Sequence, residues 1–205
     1  MRFVDFHKAL KDFVVFSLAD ISMIDSKFHR RRLNEWQEKG YIRKIIRGYY
    51  IFSEIEITEK VLFNIANKIY NPSYISFESA LSYYNFIPES IYSITSASPL
   101  ITRNFNTTAG NFSYHRLKPQ LFFGYEMVDY NGRRFNIASK EKALLDYFYI
   151  NSRLETGEDF EQMRVNAGIV SEGIDIAKFS GYTDRFGKKK FSARIENFME
   201  WLRHD

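Results

Sequence analysis

The chain has 205 residues, no cysteine and a formal net charge of +4. Its hydrophobic fraction of 45% and charged fraction of 26% are ordinary for a globular protein and exclude collagen-like repeats and wholesale disorder. The lack of cysteine excludes disulfides, iron–sulfur clusters, thiolate zinc sites and a cysteine nucleophile, and the longest apolar runs, such as 13–16 and 143–145, fall far short of the roughly 20 residues of a membrane span.

Phe3, Phe6, Leu10, Phe13 and Val14 recur at helical spacing and predict a helix over 3–13 with one apolar face. Ser17 and Asp20 have the spacing of a capping box, which predicts a short second helix from 18 to 23. Asp25 is a good N-cap for a third helix over 26–39, which Gly40 ends. Its core side would carry Leu33 and Trp36, with Phe28 or His29 one turn earlier. Two β-branched and aromatic runs, 41–46 and 49–52, flank Arg47-Gly48 and read as a hairpin. Three short helices followed by a hairpin is the pattern of a winged helix-turn-helix, here a domain over residues 1–54.

The charge supports that assignment. Residues 1–50 hold 11 Lys/Arg against 6 Asp/Glu, and the other 155 hold 18 against 19, so the whole basic excess lies at the front of the chain. Such asymmetry suggests a polyanion-binding module on a neutral body. Lys27, Arg30, Arg31 and Asn34 fall on or near the face of the third helix opposite its core residues, where a recognition helix meets the major groove. His29 is either a partly buried helix residue or a further DNA contact. Arg reads guanine, Asn reads adenine and Lys neutralises phosphate. Lys44 and Arg47 lie on or beside the hairpin, where a wing touches the DNA backbone.

Residues 55–205 read as a second, α+β domain. The boundary falls near 53–58, where the wing strand gives way to Glu54, Glu56 and Glu59. Thr58 caps a predicted helix to about residue 70, with Val61, Leu62, Ile65, Ala66 and Ile69 on its apolar face, and Asn71-Pro72 ends it. Ser76 is placed to cap a helix over 77–84. From Ser90 to Ala138 the pattern turns β-like. Ile91, Ser93, Thr95 and Ala97 alternate with their neighbours, as do Phe112, Tyr114 and Arg116. Asn131-Gly132 is the strongest hairpin signal. Ser139 caps an expected amphipathic helix bearing Ala143, Leu144, Tyr147 and Phe148. The last fifty residues read as helices near 158–166, 174–179 and 188–203, with turns at Gly181 and Gly187.

Nothing in these residues demands catalysis. None of the four histidines pair at i,i+4, and no P-loop or GxGxxG is present. His115 lacks an identifiable nucleophile or carboxylate partner. Glu141 and Asp146 are five residues apart and do not share a helix face; Glu141 and Glu78 suit helix N-termini, and Asp146 can pair with Lys142 at i,i+4. The basic stretch Arg185–Lys190 reads as a second phosphate-binding patch, a contact for an acidic partner, or a solvated helix start. No metal, cofactor or catalytic residue is expected.

Three stretches resemble the AbiEi family of antitoxins from type IV toxin–antitoxin systems linked to phage abortive infection: Tyr74–Leu81, Phe112–Arg116 and Ala138–Tyr149. Arg47-Gly48-Tyr49-Tyr50 is similar to the end of that family's winged helix, although a single Arg stands before the glycine where the family often has two basic residues. The resemblance covers residues 3–150. It implies a winged helix that binds promoter DNA and represses its own operon, and a C-terminal domain that opposes a nucleotidyltransferase toxin without requiring a stable complex. The expected partner is an inverted-repeat promoter bound by two copies. With no apolar h-region after Met1–Asp5, a cytoplasmic location and no membrane contact are expected. Two alternatives stand beside this: a winged-helix regulator whose C-terminal domain binds a ligand or partner, and a nucleic-acid-processing enzyme.

Overall fold

A computed structural model of the chain describes residues 1–88 and 92–204. It is an α+β protein. Helix α1 (Phe3–Leu10) is followed by a two-residue strand β1 (Phe16–Ser17), α2 (Leu18–Ile24), α3 (Arg31–Glu38) and the hairpin β2 (Ile42–Ile46) and β3 (Tyr49–Phe52). The three strands form one antiparallel sheet in the order β1-β3-β2. This arrangement is compatible with a winged helix. Ser17 closes the expected capping box: its hydroxyl accepts from the Asp20 amide, and the Asp20 carboxylate accepts from the Ser17 amide.

Two boundaries differ from the sequence expectation. Helix α1 stops at Leu10 and does not reach residue 13. Helix α3 starts at Arg31, not at Ser26. The Asp25 side chain is used in a turn: its Oδ1 accepts the Lys27 amide at 3.0 Å and its carbonyl accepts the Phe28 amide at 3.1 Å. Asp competes in this way with helix formation, because its short side chain satisfies nearby amides in a turn conformation. Residues 26–30 are therefore the turn between α2 and α3.

The second part is built on a six-stranded mixed sheet. Its strands are β4 (Tyr74–Ile75), β5 (Ser93–Ser98), β6 (Arg103–Thr107), β7 (Gly110–Arg116), β8 (Tyr125–Tyr130) and β9 (Arg133–Ala138). Their order is β6-β7-β5-β4-β9-β8, with β5 parallel to β7 and β4 parallel to β9. Helix α4 (Glu59–Ile69) is capped by Thr58 and covers one face, where the Tyr114 hydroxyl donates to the Ala66 carbonyl at 2.7 Å. Helices α5 (Phe77–Tyr83) and α6 (Lys140–Ile150) cover the other. Burial of Ile94–Ser98 is continuous, not alternating, because β5 lies inside the sheet with a helix over each face; Ile91, part of the expected alternation, lies outside the described residues. Asn131 and Gly132 turn the β8–β9 hairpin with φ of 52° and 74°.

Helix α6 is capped by Ser139 as expected but is not amphipathic: Glu141 through Asp146 are all buried. The remaining helices α7 (Gly157–Gln162), α8 (Ala167–Gly173), α9 (Ile176–Phe186) and α10 (Lys189–His204) enclose it. Sequence periodicity missed α8 and placed a turn at Gly181, which lies inside α9; Gly187 does end α9 in the left-handed conformation. Buried side chains form one continuous cluster from Phe6 to Leu202, and Ile55, within the expected boundary segment, belongs to it. No helix among the described residues is long and apolar enough to cross a membrane.

Lys68 of α4 reaches Asp20 of α2 at 2.9 Å and ties the two parts together. Burial opposes the Asp20 charge, but hydrogen bonds from Ser17 and the Lys68 ammonium outweigh it and hold the carboxyl below its ordinary value. A lowered folded-state pKa stabilises the fold above the unfolded value of about 3.9 and is lost as pH falls through the folded value. Asp20→Asn should therefore melt below the wild type at about pH 6, and the gap should narrow at about pH 3.

Candidate nucleic-acid interface

The structure exposes all seven residues singled out from the sequence: Lys27, His29, Arg30, Arg31, Asn34, Lys44 and Arg47. It distributes them differently from the expectation. Lys27 and His29 sit in the α2–α3 turn rather than on the helix, and His29 is exposed, not half-buried. Arg30 is the α3 N-cap residue, and Arg31 and Asn34 follow within its first turn. Leu33 and Trp36 are buried as expected, and Phe28 packs partly against the same core. Arg31 lies 3.7 Å from Glu35 across an exposed helix turn, a contact too weak to hold it away from a ligand.

The third consecutive arginine does other work. Arg32 donates to the Met1 carbonyl at 2.6 Å and pins the chain start to α3. The first turn of α3 contains no acidic residue and no side-chain cap, so the positive end of the helix and its arginines present the same sign of charge. Arginines there oppose the helix dipole and cost stability; a phosphate at that end removes the cost.

The hairpin offers less. Its turn is only Arg47-Gly48, with Gly48 at φ 87°, so Arg47 is the cation at the tip. Arg43 and Lys44 of β2 are both exposed, and the register with β3 shifts just beyond them, between Lys44 and Ile46. Arg43 turns back to the Ile55 carbonyl at 2.8 Å, leaving Lys44 as the outward cation of β2. The edge of β2 is not free. The Thr108 hydroxyl, from the β6–β7 turn, donates to the Lys44 carbonyl at 2.7 Å.

Sequence reading missed two clusters in the second part. The first lies under α6. Lys142 and Asp146 form the expected i,i+4 ion pair, but in full burial. Asp146 also accepts from the Tyr74 and Ser76 hydroxyls, each at 2.8 Å, and Lys142 donates to Tyr74 at 2.9 Å. Ser76 therefore does not cap α5, as its position suggested; its hydroxyl serves Asp146. Gly124, at φ 71°, lets the preceding loop close over this cluster: a Cβ there would stand 2.9 Å from Tyr182 and 3.2 Å from Lys142. Glu141, read as a dipole partner, instead joins Lys178 of α9 at 2.8 Å and accepts the Asp175 amide at 3.1 Å.

The second is a cavity of about 530 Å³ on the α5 side of β5, β6 and β7, where Glu78 and His115 meet. This supplies the carboxylate neighbour of His115 that spacing alone had not revealed, since the two lie in different elements. Burial holds the imidazole below its ordinary pKa, with Glu78 pulling it up less strongly. The basic stretch Arg185–Lys190 spans the α9–α10 turn. Arg185, Lys188, Lys189 and Lys190 are exposed, and the Arg185 guanidinium stacks on Phe123 at 3.4 Å from the ring centre. No group of three His, Asp or Glu among the described residues is arranged to hold a metal.

No family model matches this chain, and no curated protein matches it either.

Proposed function

We propose that the chain is a DNA-binding autorepressor that also acts as the antitoxin of a type IV toxin–antitoxin system, opposing a nucleotidyltransferase toxin. The observation that carries the DNA half is the exposure of Lys27, Arg30, Arg31 and Asn34 around the start of α3, with Lys44 and Arg47 on the adjoining hairpin. In this reading α3 enters the major groove end-on, Arg30, Arg31 and Asn34 meet base edges, and Lys27, His29, Lys44 and Arg47 hold phosphates. The antitoxin half rests on the resemblance of Tyr74–Leu81, Phe112–Arg116 and Ala138–Tyr149 to the AbiEi family. The protein then works in the cytoplasm, without catalysis or cofactor, and two copies occupy an inverted repeat.

The purified chain should retard its own upstream DNA in the presence of competitor, and binding should weaken steeply between about 50 and 300 mM salt as counterions released from phosphates lose their drive. Retardation equal to that of competitor DNA would remove the repressor reading. Rescue of cells from a co-expressed toxin encoded beside it tests the antitoxin half separately. The cavity beside Glu78 favours a second reading, a winged-helix regulator with a ligand-binding C-terminal part.

A further inference from the structure

The cavity on β5–β7 has the size of a small-molecule site, about 530 Å³. Strand alternation builds its wall: Phe112 and Tyr114 point towards α4, so Asn111, Ser113 and His115 point the other way. Asn104 and Asn106 of the neighbouring strand extend the wall, and Glu78 of α5 closes one side. The charge pattern is selective. Glu78 is the one acidic side chain among the described lining residues, and they include no Lys or Arg. The Glu78 Oε2 atom is buried and has no hydrogen-bond partner among the described residues. A buried acceptor without a donor is costly, and more so when it is charged.

Phe77, immediately before Glu78, has φ of 56°, a left-handed conformation that strains a bulky residue. Its ring is buried edge-on to His115 at 5.0 Å. His115, desolvated, does not neutralise the carboxylate. An anion is therefore repelled, and a neutral molecule leaves the Glu78 charge uncompensated. A cation with several N–H donors balances the Glu78 carboxylate, gains charge-assisted hydrogen bonds, and finds amide and hydroxyl oxygens along the strand wall.

The same two strands reach the hairpin of the first part. Beyond the cavity, β6 and β7 meet in a turn whose Thr108 donates its hydroxyl to the Lys44 carbonyl at 2.7 Å and its amide to the Ile45 carbonyl at 3.4 Å. We propose that the cavity binds a small organic cation of the guanidinium or ammonium type, with Glu78 as its counter-charge, and that occupation shifts the β6–β7 turn against the β2 strand. The binding step stands alone; its effect on DNA rests on the DNA-binding reading above.

The test uses the full chain and two shape-matched probes, N-butylguanidinium and the uncharged N-butylurea, with the His115 ring followed by proton NMR. N-butylguanidinium should shift His115 saturably, N-butylurea should not, and Glu78→Gln should weaken the guanidinium by about tenfold or more while the Trp36 signals stay in place. Equal binding of the two probes, or unchanged affinity in Glu78→Gln, overturns the site. In the second arm, saturating N-butylguanidinium should change retardation of DNA by the wild type but not by Thr108→Ala. If the probe binds and retardation by the wild type is unchanged, the coupling is overturned and the site stands. The NMR arm contains no DNA, so failure of the DNA-binding reading is seen separately, as no retardation without the probe.

Discussion

A variant carrying Lys27→Ala, Arg30→Ala and Arg31→Ala should, on the proposed reading, lose specific retardation of its upstream DNA while keeping its thermal midpoint and any rescue of toxin-expressing cells. All three side chains are exposed, and Arg31 lies 3.7 Å from Glu35 across an exposed helix turn. Exposed substitutions of this kind change stability by about 0.5 kcal/mol or less. Binding should change far more. Each phosphate contact removed lowers the slope of log affinity against log salt by about 0.9, and each lost bidentate base contact costs about 1–3 kcal/mol of discrimination. Summed over three cations, this is on the order of a hundredfold or more in affinity at moderate salt. Arg32→Ala is the informative control. It keeps the three exposed cations but removes the bond to the Met1 carbonyl, so it should lower the melting temperature more than it lowers DNA affinity. Unchanged affinity and salt slope in the triple variant would show that α3 is not the reader.

The second large effect concerns the buried pair under α6. Asp146→Ala should destabilise the protein by about 3–5 kcal/mol, because it strands the Lys142 ammonium in full burial. For a chain of this size each kcal/mol moves the melting temperature by about 2–4 °C, so the drop should be roughly 6–20 °C. Burial already pushes the Asp146 carboxyl up and the Lys142 ammonium down; each charge, together with Tyr74 and Ser76, is what makes the other tolerable. The double variant Lys142→Met, Asp146→Leu removes both charges and should recover most of the loss. If Asp146→Ala melts with the wild type, the pair is not a buried ion pair in solution. DNA retardation should be the same in both folded variants, since the cluster is remote in sequence and fold from α3.

Much of this architecture was legible in the sequence because it rests on local signals. The capping box of Ser17 and Asp20, the Thr58 and Ser139 caps, the Asn131-Gly132 turn and the Gly187 helix end each depend on residues within a few positions of one another. Exposure of Arg30, Arg31 and Asn34 followed from helical spacing about Leu33 and Trp36, and that of Lys44 and Arg47 from the position of the hairpin; Lys27 and His29 are exposed because they lie in the α2–α3 turn, which spacing did not reveal. Local rules failed where two satisfied outcomes competed. Asp25 could cap a helix or fold a turn, and it folds the turn. Ser76 could cap α5 or donate to a carboxylate 70 residues away, and it donates.

Composition, charge asymmetry and periodicity thus determined the α+β class, the order of the early helices and hairpin, and which cations face solvent. Tertiary structure alone decided that α6 is buried nearly all round, that Arg32 belongs to the fold rather than to the exposed set, that Glu78 faces His115, and that Thr108 holds the β2 strand. Each of those depends on groups brought together from distant parts of the chain. Their free energy comes from removing water around both partners at once, a quantity that spacing along one element does not contain.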